Sequence, residues 1–232
     1  MKRVQQQEQL QQVVAAVQQR WGAQALQRLA QVRTGVAGIP TGHADLDRVL
    51  GSGLPRGAVT CLSGTPTSGK TTLALDVLAR VQAEGEVTVY IDLTQALDPE
   101  YAEGRGVDLA HLLVIWPHPS TLALDITRDI VTSGGAGLVV VDTGRDTGWS
   151  GASQRTLMAS VRRSPYAVLC LSDDSGGALA ARADVHLRAQ RQRWHLLPTG
   201  VTGCDTRLTV VKSRFGPPGQ SVTVSLTLRA GP

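Results

Sequence analysis

The segment from Gly64 to Thr72 has residue types and a spacing that suit the binding of nucleotide phosphates. It reads GTPTSGKTT and contains the pattern G-x-x-x-x-G-K-T between an apolar run and a helical pattern, which is the context that this motif requires. Glycines at both ends of the pattern let backbone N–H groups face the phosphates. The Lys70 ammonium neutralises phosphate charge, the Thr71 hydroxyl supplies an oxygen to Mg²⁺, and the first turn of the helix adds positive potential.

A second signal is the apolar run GLVVVD, which ends at Asp142. An acidic residue at the carboxyl end of a buried strand beside such a loop can hold a water of the Mg²⁺ shell. Many strands end in aspartate, so this run is informative only because the loop precedes it. We predict a Mg²⁺ site at Thr71 and Asp142, beside a nucleotide on Gly64, Thr65, Pro66, Thr67, Ser68, Gly69, Lys70, Thr71 and Thr72. The alternative is a degenerate loop that is kept for folding alone.

The elements that must position these residues alternate along the chain. Continuous apolar strands separated by helices of ten or more residues predict an α/β fold whose largely parallel central sheet is covered by helices on both faces. After Asp184 three further strands follow without helices between them, which predicts a short antiparallel extension. The predicted strands are 58–62, 87–93, 112–115, 138–142, 166–171, 185–187, 208–213 and 222–228, and the helices are 71–83, 121–133 and 154–163.

Ahead of this core, apolar residues recur at helical spacing and predict one amphipathic helix. Its stripe consists of Leu10, Val13, Val14, Val17 and Trp21. The stripe must be buried on the protein's own core or on that of a neighbour. A glycine-rich connector follows, so we divide the chain into an appendage, residues 1–35, and a core, residues 36–232.

Composition narrows the class of protein further. No apolar run reaches the roughly 18 residues of a membrane span, and the cysteines form no CxxC pair, so we expect a reduced, cytoplasmic protein with no membrane contact. From Arg182 onward eight Lys/Arg face two Asp, a local balance of +6. This surface suits a phosphate backbone, although a solvated basic face is an equal alternative. The best local candidate for a DNA or partner surface is a turn-like stretch with Arg188, Arg191, Arg193 and Trp194.

Taken in order, several segments resemble the RecA recombinase family. They are TGHADLDRVLGS, GLPRG, the phosphate loop, YIDLTQALDPEYAEGRGVDLAHLLVIWP and GCDTRLTVVKSR. The resemblance implies a RecA-type P-loop fold, ATP with Mg²⁺, and a role in DNA repair and recombination. It also implies that Asp98 and Tyr101 contact the adenine, with Tyr101 stacking on it. Lys212 and Arg214 match a basic pair that reaches a neighbouring protomer's γ-phosphate, and the N-terminal helix resembles one that docks on the next protomer of a filament.

Three departures from the family qualify this resemblance. The family's catalytic glutamate lies four residues before an Asp-Pro pair, where this chain has Thr94, which cannot accept a proton near neutral pH. Gln95 could orient a water instead, but it should point to the other side of a strand if the extended pattern persists. The two DNA-gripping loops are short. The family's γ-phosphate-sensing glutamine is absent after the strand that ends at Leu171, and Asp173 or Asp174 stands nearby instead. We also expect the core to lack the family's C-terminal domain.

The short layout also resembles ImuA-type proteins, RecA-related factors that work beside a translesion polymerase in the damage response. One hypothesis is therefore an ATP-binding accessory protein with weak or no hydrolysis, which modulates a RecA filament or a translesion polymerase. The other is a DNA-stimulated ATPase that acts directly in homologous recombination. The first hypothesis allows a homo-oligomer, and both allow DNA binding, which the short loops should weaken.

Overall fold

The computed structural model describes residues 38–144, 149–173, 177–198 and 200–227, together with positions 13, 15, 16, 19 and 20 near the N-terminus. The chain divides into two compact units, residues 1–36 and 37–232. In the first unit the described positions are helical and exposed, and Val13 is among them. The rest of the predicted apolar stripe (Leu10, Val14, Val17 and Trp21) lies outside the described residues.

The second unit contains a central sheet of eight strands, which are β3 (Ala58–Ser63), β4 (Thr88–Asp92), β5 (Leu112–Ile115), β6 (Leu138–Asp142), β7 (Ala167–Ser172), β8 (Val185–Leu197), β9 (Gly200–Ser213) and β10 (Ser221–Thr227). Among the described residues their order across the sheet is β10-β9-β8-β3-β7-β6-β4-β5. Strands β8, β3, β7, β6, β4 and β5 run parallel to one another, and β9 and β10 extend the sheet antiparallel beyond β8. A small antiparallel pair, β1 (Gly38–Ile39) and β2 (Leu54–Pro55), precedes them.

Helices cover both faces of this sheet, as the continuous apolar strands predict. In β6, Leu138 and Val140 join one buried cluster while Val139 and Val141 join the other, because successive side chains point to opposite faces. The helices are α1 (Ala44–Leu50), α2 (Lys70–Ala83), α3 (Pro99–Gly104), α4 (Ala123–Ser133), α5 (Gly151–Val161) and α6 (Gly177–Arg182). Helix α2 packs in the first cluster, and α4, α5 and α6 pack in the second. The α/β prediction is confirmed.

The antiparallel extension is longer than the sequence pattern predicts. β8 runs on from Leu187 to Leu197, and β9 begins at Gly200 rather than at Leu208. The stretch that includes Arg188, Arg191 and Trp194 was predicted to be turn-like, and this was wrong: it is regular strand paired with β9. Its outward positions are polar and its register shifts at irregularities, so no clean apolar alternation marks it in the sequence.

Among the described residues, no helix is long and apolar enough to cross a membrane. The three cysteines, Cys61, Cys170 and Cys204, are buried thiols inside the sheet, as the apolar runs around two of them predict.

Candidate nucleotide-binding site

The phosphate loop lies between β3 and α2, at the carboxyl edge of the parallel sheet. Its two glycines are required for different reasons. Gly69 has φ 88°, a left-handed conformation that strains other residues. A side chain on Gly64 would put its Cβ 2.4 Å from the Ala189 carbonyl oxygen, which leaves no room for one. At the apex, Thr67 also has a positive φ of 62°, which is typical of functional turns held by their surroundings.

Lys70 opens helix α2, and its ammonium bends back over the loop. Nζ donates to the carbonyl oxygens of Gly64 at 2.8 Å and Thr65 at 3.0 Å. It also forms an ion pair with Asp173 Oδ1 at 3.0 Å, and the lysine side chain is only 7% exposed. This is the position from which a lysine can reach phosphate oxygens of a nucleotide cradled by the loop.

The loop also contains a buried hydroxyl whose hydrogen-bonding capacity is unused. Ser68 is fully buried, and its Oγ has no hydrogen-bond partner among the described residues. Buried polar atoms are nearly always paired, so an orphaned one in a phosphate loop fits a polar ligand. Together with the glycine geometry and the Lys70 ammonium, this fits a bound nucleotide phosphate.

Asp142 ends β6 near this loop, next to the end of β4. Tyr90 donates its hydroxyl to Asp142 Oδ2 at 2.9 Å, and the Gly144 N–H donates to Oδ1 at 3.2 Å. Burial raises the pKa of Asp142 above its ordinary value, while the hydrogen bonds from Tyr90 and Gly144 act in the opposite direction. Burial, with Asp142 nearby, also raises the pKa of Tyr90, so this hydroxyl stays protonated and keeps donating. The carboxylate is thus oriented and suits a hard cation such as Mg²⁺.

This environment predicts a pH dependence for the cation. Because Mg²⁺ needs the ionised carboxylate, protons compete with it, and the raised pKa of Asp142 moves that competition above the ordinary value of 3.8. We expect the Mg²⁺-dependent part of ATP affinity to fall as pH is lowered through this raised pKa. Tyr90→Phe removes a hydrogen bond to the ionised form, so the midpoint should move to higher pH.

ATP titrations with and without Mg²⁺, from about pH 5 to 8, measure this midpoint. Tyr166→Phe is the matched control, because the Tyr166 hydroxyl donates to the Gly134 carbonyl instead. An unchanged or lower midpoint in Tyr90→Phe would contradict the assigned role of the hydroxyl.

The two residues expected at the adenine lie on and before α3. Tyr101 contacts the loop helix directly, since its hydroxyl and the Thr72 Oγ1 are 2.8 Å apart. Asp98 is the N-cap of α3 and accepts from the Tyr101 N–H at 3.1 Å. Tyr101 is therefore held beside the second threonine of the loop, and Asp98 fixes the helix that carries it.

Thr94 follows the end of β4 and is exposed, with its methyl group against Gly144. Its hydroxyl donates to Asp92 Oδ1 at 2.8 Å and leaves no basic group at this position. The strand ends at Asp92, and Gln95 has a left-handed φ of 52° with an exposed side chain, so the extended pattern assumed for Gln95 does not persist.

The basic pair at the end of β9, Lys212 in the strand and Arg214 just after it, lies away from the chain's own loop. Lys212 pairs in register with His186, and His186 pairs with Cys61 of β3. The Lys212 Nζ donates to the Ala181 carbonyl at 2.8 Å. Arg214 is 3.5 Å from the buried carboxylate of Asp184, at the level where β3 begins. The structure does not bring either residue to the phosphate loop of the same chain.

One basic residue of β8, in contrast, reaches the loop. Arg191 donates to the Thr67 carbonyl at 3.0 Å and to the Thr67 hydroxyl, and its guanidinium lies 4.1 Å from the centre of the Trp194 ring. Arg193 pairs with Asp205 at 2.9 Å. Arg188 lines a cleft of about 570 Å³ together with Gly64, Thr65, Asp173, Ala189, Gln190, Arg191 and Gln192. The sequence predicts a separate surface for these arginines and gives no sign of the contact between Arg191 and Thr67, because no local pattern encodes it.

The expected DNA-gripping loops are the connections 143–150 and 173–176. Residues 145–148 and 174–176 of them, including Asp174, lie outside the described residues. Trp149, at the end of the first connection, is buried and donates its indole N–H to the Ser120 carbonyl at 3.3 Å.

The fold and site define a class: a P-loop α/β protein whose strand-to-helix loop suits a nucleotide phosphate. Comparison with known proteins makes the family explicit. The model of the RecA N-terminal domain matches residues 8–146. RecA of Symbiobacterium thermophilum is 32% identical over 88% of this chain and 69% of the relative. RecA of Methylococcus capsulatus is 32% identical over 88% of this chain and 70% of the relative. The chain belongs to the RecA family.

Over a shorter span the similarity is higher. RecA of Cutibacterium acnes is 44% identical over 55% of this chain and 37% of the relative. Among solved structures, that of the RadB recombinase has a TM-score of 0.62 with 22% identity, covering 80% of this chain and 94% of that one, which supports the fold. Membership of this family supports nucleotide binding and a role in DNA repair and recombination. Members of the family use ATP and Mg²⁺ and form filaments and oligomers on DNA.

Proposed function

We propose that this chain binds ATP with Mg²⁺ in its phosphate loop and acts in the cytoplasm as an accessory or regulatory RecA paralogue, with weak or no hydrolysis. The observation that carries the proposal is an intact loop combined with Thr94 at the position of the catalytic base. The loop keeps its two constrained glycines and its lysine. The hydroxyl of Thr94 is a donor to Asp92 and cannot take a proton from a water at neutral pH.

The contacts around the loop support the binding roles that we propose. Backbone N–H groups of residues 64–72 and the Lys70 ammonium hold the phosphates, and Tyr101, fixed beside Thr72, stacks on the adenine. Asp98 holds Tyr101 in place and contacts the base. Thr71 and Asp142 would hold Mg²⁺, which neutralises phosphate charge when it is bound.

Without a general base, ATP hydrolysis should be about 10²–10⁴-fold slower than in an enzyme that has one. Gln95 does not replace it, because its left-handed backbone and exposed side chain give it no fixed position beside the loop. Bound ATP is then a long-lived state. It suits a switch that orders contacts between protein chains more than a motor that depends on turnover.

Contacts between chains are the natural output of such a switch. Lys212 on β9 and Arg214 just after it are exposed and remote from their own loop, which fits a role at a neighbouring protomer's γ-phosphate. The residues 1–35 are the proposed docking element for that neighbour. The partner is then a second copy of this chain or a RecA filament, and the ImuA-like layout adds a translesion polymerase as a further candidate in the damage response.

A second function is favoured by one specific observation. Arg188, Arg191 and Arg193 are exposed along β8, and Arg191 touches the phosphate loop, so a nucleic acid on this strand would communicate with the nucleotide. A DNA-stimulated ATPase that acts directly in homologous recombination would use this connection.

One experiment separates the two functions. Titrations with ATP and with ADP are followed by light scattering for assembly, by fluorescence anisotropy for single-stranded DNA binding, and by phosphate release for turnover. The accessory function predicts an ATP-dependent change in assembly with little phosphate released, whether or not DNA is present. Turnover on single-stranded DNA at the rate of an authentic RecA would exclude it and establish the second function.

A further inference from the structure

The Lys70 ammonium already has a full set of partners inside the protein. An ammonium has three N–H donors. Here they meet the carbonyl oxygens of Gly64 and Thr65 and the carboxylate oxygen of Asp173, at 2.8, 3.0 and 3.0 Å. The Asp173 oxygen therefore takes the one anionic contact of a lysine whose task in a phosphate loop is to meet an anionic oxygen.

Asp173 is held at this place by the sheet. It directly follows β7, whose last residue, Ser172, pairs with Ser63 at the end of β3. The Gly64 N–H donates to the Ser172 carbonyl at 3.0 Å, and the Asp173 N–H donates to the Gly144 carbonyl. The backbone of Asp173 is thus tied both to the first residue of the phosphate loop and to the segment after Asp142.

In this environment the carboxylate competes with other anions for the Lys70 ammonium. The Lys70 side chain is 7% exposed and that of Asp173 is 34% exposed, so the pair is only partly screened by solvent. Asp142 is close enough that the charge of Asp173 contributes to raising its pKa, although burial is the larger cause. A terminal phosphate that binds Lys70 must displace the Asp173 carboxylate from it. The phosphate then lies beside that carboxylate, and the two negative charges repel each other.

We propose that Asp173 is a specificity-determining residue, a built-in carboxylate that competes with the terminal phosphate of a nucleoside triphosphate for Lys70. The competition lowers affinity for ATP more than for ADP, because the γ-phosphate adds the charge that must share this lysine with Asp173. This inference rests on the proposed nucleotide binding by the loop. It adds a selectivity that the loop motif does not contain.

Asp173→Asn keeps the size of the side chain and removes its charge. We expect it to tighten ATP binding by roughly ten- to a hundredfold, the range that a charged hydrogen bond is worth, and to tighten ADP binding by much less. Calorimetric titrations with ATP and ADP in the presence of Mg²⁺ give both affinities and their ratio. Asp173→Ser, which removes charge and reach together, should change the ratio in the same direction.

Asp129→Asn is the matched control, since Asp129 lies on the exposed side of α4 and pairs only with Arg128 among the described residues. It makes the same change in net charge and should leave both affinities unchanged. If wild-type protein binds ATP and Asp173→Asn has the same ratio of ATP to ADP affinity, or binds ATP more weakly, the inference is wrong while the proposed function stands. If no variant binds any nucleotide, the proposed function itself fails and this inference with it.

Discussion

Lys70→Ala is expected to remove almost all affinity for ATP. The ammonium lies over the loop against the carbonyl oxygens of Gly64 and Thr65, and in the proposed complex it meets two phosphate groups. Hydrogen bonds to charged groups contribute about 1.5–3 kcal/mol each, so the loss should be roughly a hundredfold or more. Calorimetric titration with ATP and Mg²⁺ measures this directly, with ADP as a second ligand.

Two controls make the result interpretable. Arg48→Ala removes one positive charge from an exposed pair with Asp45 on α1 and should bind ATP as wild type does. Thermal unfolding of Lys70→Ala shows whether the fold survives, which we expect because a small side chain leaves the glycine geometry of the loop intact. Wild-type affinity in a folded Lys70→Ala protein would contradict the assignment of the loop.

Thr94→Glu is expected to raise ATP hydrolysis by about 10²–10⁴-fold, the usual contribution of a general base. Thr94 is exposed just after β4, so a longer side chain can extend into solvent at the carboxyl edge of the sheet. The substitution removes the hydrogen bond from the Thr94 hydroxyl to Asp92 Oδ1. The backbone N–H of residue 94 still donates to the same oxygen. Steady-state phosphate release measures the gain.

Thr94→Gln is the matched control, because glutamine has nearly the same shape as glutamate and cannot accept the proton. It should leave hydrolysis close to the wild-type rate. If Thr94→Glu is equally inactive while it still binds ATP, the missing base is not the main defect. The cause would then lie in Asp173 beside Lys70 and in the contacts that a neighbouring protomer supplies.

Much of the fold follows from the sequence because its core strands are buried on both faces. β6 and β7 are continuous apolar runs, which have few other stable arrangements than a parallel sheet under helices. The phosphate loop is local in the chain, so its glycines and Lys70 identify it without any tertiary information. The resemblance to RecA then supplied Asp98 and Tyr101, and the structure places Tyr101 beside Thr72.

The parts of the site that the sequence does not predict depend on contacts between segments that are distant in the chain. Asp173 meets Lys70, and Arg191 meets Thr67, only because β7 and β8 flank β3 in the sheet. A sequence pattern with a period of two or 3.6 residues contains no information on such pairs. The predicted length of β8 is too short because the outer half of the strand carries arginine and glutamine on both sides. This removes the apolar alternation that marks a strand.

The central claim is that this chain holds ATP in its loop and does not split it efficiently. The most direct measurement is to mix protein with a slight excess of radiolabelled ATP and Mg²⁺, separate bound from free nucleotide, and identify the bound species over time. We predict one nucleotide bound for each chain, recovered mainly as intact ATP, and none bound to Lys70→Ala. Recovery of the label mainly as ADP and phosphate after brief incubation, or no bound nucleotide at all, would contradict the account.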